Sequence, residues 1–113
     1  MRYGIIGSRT FEGYDFLCSV LDPQRIFISE IVSGGARGAD SLGELYANKN
    51  KIKTQIYRPD YAKYGKKAPF VRNKLIVENS DVVIAFWDGK SNGTKHSLDY
   101  AKSKCVKSVV YKF

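Results

Sequence analysis

Three short segments of this chain carry residues of the kinds that grip a small anion: Gly7-Ser8-Arg9-Thr10-Phe11, Ser33-Gly34-Gly35-Ala36-Arg37-Gly38-Ala39-Asp40 and Trp87-Asp88-Gly89-Lys90-Ser91-Asn92-Gly93-Thr94. The first offers a flexible backbone, two hydroxyls and a guanidinium. In the second, glycines permit positive φ and let a ligand approach main-chain N–H groups at a helix start. The third again leads small residues into a helix. Each segment alone has a structural explanation, because strand-to-helix turns use glycine and helix caps use Ser, Thr or Asn. Three of them on one sheet edge point instead to a cradle for phosphate or carboxylate.

Arg9 and Arg72 are the leading phosphate-binding candidates, since a guanidinium matches phosphate with two parallel hydrogen bonds. A surface ion pair is the plainer role for either. Gly7, Ser8, Thr10, Ser33, Gly34, Gly35, Ala36, Gly38, Asn73, Asp88, Gly89, Ser91, Gly93 and Thr94 complete the candidate binding set with Asp40 and Trp87. Asp40 either complements a helix dipole or accepts hydrogen bonds from ribose hydroxyls. Trp87, the single tryptophan, either stacks a base or closes the core. His96 has no metal-ligating companions, and its solitary place in a helix suits a surface or interface residue better than a proton-transfer group. No metal and no cofactor are expected, and no catalytic residue is assigned.

The elements that must position these residues alternate between strand and helix along the whole chain. Tyr3–Gly7 reads as a short apolar strand. Gly13–Leu21 places Phe16, Leu17, Val20 and Leu21 on one helical face, and Asp22-Pro23 stops that helix. Glu30–Ser33 is a second strand, and Ala39–Asn48 is an amphipathic helix with Ala39, Leu42, Leu45 and Tyr46 on one side. Lys53–Tyr57 is a third strand. Pro59–Ala68 reads as a long functional loop, in which Tyr57, Tyr61 and Tyr64 alternate with Arg58, Lys63, Lys66 and Lys67. Pro69 opens a helix that turns Val71, Leu75 and Ile76 inward. Asp81–Phe86 is nearly continuous in apolar residues, as the centre of a sheet covered on both faces requires. A helix from Ser91 repeats Thr94, Leu98, Ala101 and Cys105, and Lys107–Tyr111 is the fifth strand.

That order predicts an α/β fold: one Rossmann-like domain over residues 1–113, with about five parallel strands and helices on both faces. Ligands of such sheets bind beyond the carboxyl ends of the strands, where the strand order reverses. The three glycine-bearing segments follow strands one, two and four. The Gly34–Gly38 loop is neither a dinucleotide fingerprint nor a P-loop, since no Gly-Lys-Ser/Thr follows, which disfavours ATP hydrolysis.

At 113 residues the chain suits one domain with a full core, and its 43% hydrophobic and 27% charged residues exclude a mainly disordered polymer. Its net charge of +8 favours anionic partners: nucleic acid, a nucleotide or a phosphorylated metabolite. Cys18 and Cys105 form neither a C-x-x-C pair nor a Cys/His cluster, so we expect reduced thiols on the buried sides of helices and a cytoplasmic location. No apolar run approaches the length of a membrane span, and export is not expected.

G-S-R-T-F at Gly7–Phe11, S-G-G-A-R-G-A-D at Ser33–Asp40, R-P-D-Y at Arg58–Tyr61, R-N at Arg72-Asn73 and A-F-W-D-G-K-S-N-G-T at Ala85–Thr94 together resemble the SLOG superfamily, in particular its small single-domain branch common in bacteria and phages. The resemblance implies a Rossmann-like domain that binds nucleotides or nucleotide-derived molecules in the cleft between these loops. Related LONELY GUY phosphoribohydrolases use an Arg and a G-G-x-G-T-x-x-E motif. Arg72 falls at that Arg and Gly93-Thr94 at the G-T, but Ser97 stands where the Glu would be. A serine supplies no charge to stabilise an oxocarbenium-like state and is a poor base. Asp40, Asp60 or Asp88 would have to substitute.

The expectation is therefore a binding module for an adenine- or ADP-ribose-type signal, sequestering a phage-defence messenger in a bacterial host cytoplasm. The alternatives are a phosphoribohydrolase-like N-glycosidase acting on nucleoside monophosphates, and a nucleic-acid-binding domain like that of the DNA-uptake mediators. The resemblance also implies a homo-oligomer.

Overall fold

A computed structural model describes residues 1–113. The strands are β1 (Arg2–Gly7), β2 (Glu30–Ser33), β3 (Lys53–Ile56), β4 (Val82–Trp87) and β5 (Lys107–Lys112). All five run parallel in one sheet of order β3-β2-β1-β4-β5. The helices are α1 (Tyr14–Leu21), α2 (Ala39–Lys49), α3 (Tyr61–Tyr64), α4 (Ala68–Glu78) and α5 (Asn92–Ser103). The fold is Rossmann-like, as the alternation of elements predicts.

Period-two alternation in the central strands builds both cores. Ile5, Val82, Ile84 and Phe86 turn to one face, where Leu17 and Leu21 of α1 and Tyr46 and Ala47 of α2 cover them. Ile6, Val83 and Ala85 turn to the other, against Ile76 and Val77 of α4 and Ala101 of α5. β1 and β4 are buried on both sides, which is why their sequences are almost wholly apolar. The edge strands β3 and β5 carry Lys53, Lys107 and Lys112, and charge at these positions discourages further strand pairing.

Several local expectations need correction. The α-helical part of the first segment ends at Leu21, before Asp22-Pro23 as the sequence predicts, but the chain continues as an unpredicted 3-10 helix over Asp22–Phe27, where proline's fixed φ and missing N–H are tolerated in the first turn. Phe16, Leu45 and Leu75 are 41%, 39% and 38% exposed rather than core, because each helix buries a narrower stripe than its apolar pattern suggests. Phe16 still packs edge-on against Phe86 and Tyr111. Pro59–Ala68 is not an open loop. It holds α3 and a 3-10 turn at Gly65–Lys67, with Asp60 capping α3 by accepting from the Lys63 amide. Cys18 is half-buried against the core, but Cys105 is exposed beyond the end of α5, at φ 58°.

Candidate functional site

The strand order reverses between β1 and β4, whose carboxyl ends lie side by side with Gly7 opposite Phe86. A cleft of about 410 Å³ opens there. This falls within the size range of small-molecule sites. Twelve of the predicted residues line it: Gly7, Ser8, Arg9 and Thr10 from the β1 loop; Ala36 and Asp40 from the β2 loop and α2; Arg72 and Asn73 from α4; and Asp88, Ser91, Gly93 and Thr94 from the β4 loop and α5.

Ser8 ties these segments together. Its amide donates to the Phe86 carbonyl at 2.9 Å, its Oγ accepts from the Asp88 amide at 3.0 Å, and its carbonyl accepts from the Ala39 amide at 3.4 Å. One residue therefore fixes the β1 loop, the β4 loop and the start of α2 relative to one another. Gly38 makes that junction possible. At φ 79° it occupies the left-handed region, and a Cβ there would overlap the Ser8 carbonyl and lie 2.7 Å from the Arg9 backbone.

Arg72 reaches the cleft from α4, held by its Nη1 donating to the Gly34 carbonyl at 2.7 Å and its Nε donating to Asn73 Oδ1 at 2.9 Å. Asn73 is buried and passes the restraint on, donating from Nδ2 to the Gly93 carbonyl at 3.3 Å. Gly34 lies between two charged groups: a Cβ there would stand 2.7 Å from Arg72 Nη1 and 2.8 Å from Asp40 Oδ2. Its lack of a side chain brings the guanidinium and the carboxylate near each other without a direct ion pair. Arg9 is exposed, and its guanidinium has no protein partner.

The two carboxylates of the cleft are pushed in opposite directions. Burial raises Asp40 to about 6, against the opposing pull of the Ala36 amide and Arg72. The Lys90 and Ser91 amides, donating at 2.8 and 2.9 Å, hold Asp88 below the usual carboxylate range. Burial lowers the pKa of Arg72, and Asp40 counteracts the effect.

Donors for an anion come from the backbone as well. The Arg9 and Thr10 amides bond to no protein acceptor, and the Gly93 and Thr94 amides fall in the first turn of α5, where no intrahelical acceptor exists. Thr94 Oγ1 and Ser91 Oγ pair loosely at 3.4 Å. Two cations and two sets of open amides thus face one space.

Six predicted residues sit outside the cleft wall. Ser33 is buried beneath the β2 loop, with its hydroxyl donating to the Asp40 carbonyl at 3.3 Å. Gly35 packs against Arg58, Gly34 and Gly38 act as spacers, and Gly89 forms an exposed turn at φ 82°. Trp87 is half-buried at the end of β4: its indole N–H donates to the Ser91 carbonyl at 3.0 Å and the Lys112 ammonium lies over its ring. Five lining residues stood outside the predicted binding set: Ile6, Pro69, Phe70, Ile76 and Ser97. Apolar residues at helix spacing read as core, and only the crossing of α4 over β1 places them beside a site. Ser97, at the position of the LONELY GUY glutamate, is buried, and its Oγ donates to the Gly93 carbonyl at 3.2 Å.

Comparison with known proteins agrees with this architecture. Over 78 residues, the chain is 35% identical to the Gene 61 protein of Mycobacterium phage D29, a match covering 64% of this chain and 62% of that protein. The chain thus spans less than two-thirds of that relative. Among solved structures, DNA processing protein A from Helicobacter pylori, described for its single-stranded DNA binding mode, superposes with a TM-score of 0.78 at 23% identity. That match covers 97% of this chain and 64% of the other, and it supports the shared fold. Residues 4–64, more than half of the chain and including the β1 and β2 loops, match the YspA, cpYpsA-related SLOG family, YAcAr, and the chain belongs to that family.

Proposed function

We propose that the cleft binds a nucleotide or nucleotide-derived small ligand by its phosphate. The observation that carries this reading is the convergence of Arg9, Arg72 and the open amides of the β1 loop and α5 at the strand-order switch. Phosphate favours such a helix N-terminus flanked by guanidinium groups. Asp40 lines the same cleft and offers a hydrogen-bond acceptor for ribose hydroxyls. Capture without turnover suits the site better than hydrolysis, because Ser97 spends its hydroxyl on the helix backbone. Asp40 is the carboxylate whose raised pKa suits proton transfer, so it is the group a hydrolase would use.

Calorimetry with AMP and ADP-ribose tests the reading. The unmodified protein should bind at least one of them, and Arg72→Lys should bind about 10-fold or more weakly, because an ammonium cannot reproduce the paired hydrogen bonds. Unchanged affinity in Arg72→Lys and Arg9→Ala would reject the phosphate site. Chromatography of the same samples should detect no free base, and its release would establish an N-glycosidase.

A second reading is single-stranded nucleic acid. Tyr61 and Tyr64 are 59% and 39% exposed among Lys63, Lys66 and Lys67, on the segment leading into α4 and the cleft. Exposed aromatics among cations suit stacked bases and a phosphate backbone, and the Helicobacter pylori protein of similar fold is described as binding single-stranded DNA. Oligomerisation and capture of a phage-defence messenger extend the first reading, with size-exclusion chromatography and ligand-release mass spectrometry as their tests.

A further inference from the structure

The cleft is lined by two chemically distinct sets of residues. Its donors come from Arg9, Arg72 and the first turn of α5, whereas Ile6 of β1 and Pro69, Phe70 and Ile76 of α4 contribute the apolar lining. Ile6 and Ile76 are buried to 5% and 1% exposure and serve as floor, but Phe70 is 44% exposed. It is the one aromatic residue lining the cleft. Trp87, which its place after β4 nominates for stacking, is turned away and held by Ser91 and Lys112.

Phe70 is braced as well as exposed. The His96 imidazole of α5 meets its ring edge-on, with centroids 4.8 Å apart and planes at 70°. Burial and nearby Lys74 lower the His96 pKa, which favours the uncharged imidazole. Pro69 restricts the backbone immediately before it, in the first turn of α4. An aromatic face restrained on one side and open on the other loses little freedom when a planar ring covers it.

We infer that Phe70 is the stacking platform for the heteroaromatic base of the ligand, and that it selects nucleotides over sugar phosphates of equal charge. The inference rests on the proposed phosphate site, since an anion held by Arg9 and Arg72 leaves the remainder of the ligand to run along the α4 wall. Arg72 is two residues after Phe70, so the anion clamp and the platform issue from the same helix.

The test is calorimetry of AMP and ribose 5-phosphate against the unmodified protein, Phe70→Ala and Phe70→Trp. Stacking contributes on the order of 1–3 kcal/mol per base, so Phe70→Ala should bind AMP roughly 5- to 150-fold more weakly. It should bind ribose 5-phosphate unchanged, and that result also establishes that the variant is folded. Phe70→Trp should retain AMP, with indole fluorescence quenched by AMP and not by ribose 5-phosphate. Equal losses for both ligands in Phe70→Ala, or none for AMP, would overturn the base assignment while leaving the phosphate site standing. If the unmodified protein binds neither ligand, the phosphate site fails first and the platform falls with it.

Discussion

Asp40 shows how one residue can carry a measurable signature of the site. Its carboxylate is 6% exposed and accepts from the Ala36 amide at 3.3 Å, and burial raises its pKa to about 6. An acid whose native pKa lies above its unfolded value stabilises the fold most when protonated in both states, and that contribution declines as pH rises through the window between them. Relative to Asp40→Asn, the unmodified protein should therefore lose roughly 3 kcal/mol between about pH 4 and pH 6 and then level off. Urea unfolding of both proteins across that range measures the difference. A difference that grew with pH would mean that Arg72, rather than burial, dominates at Asp40. The sequence nominated Asp40 from its place at a helix start, but its desolvation comes from packing beneath the β2 loop and could not be read locally.

At the scale of elements, the cleft depends on loops brought together by small residues. Gly38 and Gly65 both have positive φ, 79° and 57°, yet a Cβ at Gly65 meets nothing within 4 Å whereas one at Gly38 meets the Ser8 and Arg9 backbone. Gly65→Ala should cost about 1–3 kcal/mol, the penalty for an L-residue at positive φ and strongly negative ψ, a conformation that glycine alone adopts readily. Gly38→Ala should cost at least about 2–3 kcal/mol more and lower Tm by on the order of 10 °C, because the junction of the β1 loop with α2 must open. Thermal unfolding of the two variants separates close approach from backbone conformation. If they were equally destabilised, the junction would not be the constraint on the site.

The whole molecule carries +8 charges and only two salt bridges, Arg2–Asp81 and Lys95–Asp99, so most of its cations are free to interact with an anionic partner. Salt dependence therefore distinguishes the two proposed partners. A mononucleotide phosphate clamped by two arginines should lose affinity with a log–log slope near −1 to −2. A single strand lying along Arg58, Lys63, Lys66 and Lys67 as well should show a slope of about −3 or steeper, at roughly 0.7 per phosphate neutralised. We expect the shallow slope with AMP and weaker binding of a mixed-sequence oligonucleotide at 0.2 M salt. A tighter, steeply salt-dependent oligonucleotide complex would favour the nucleic-acid reading.

Taken alone, the sequence determined the α/β alternation, the buried central strands and the three loops at their carboxyl ends, because each is written in local periodicity and turn chemistry. Arg9, Arg72 and Asp40 were nominated by residue type and motif. Tertiary structure decided which side chains share the cleft. It put Trp87 against Lys112, sent Cys105 to the surface, ordered residues 61–67 into helical turns and brought Phe70 to the site wall. The placements of Trp87 and Phe70 have no local signal, since each depends on how one element crosses another, and crossing geometry is set by contacts between residues far apart in the chain.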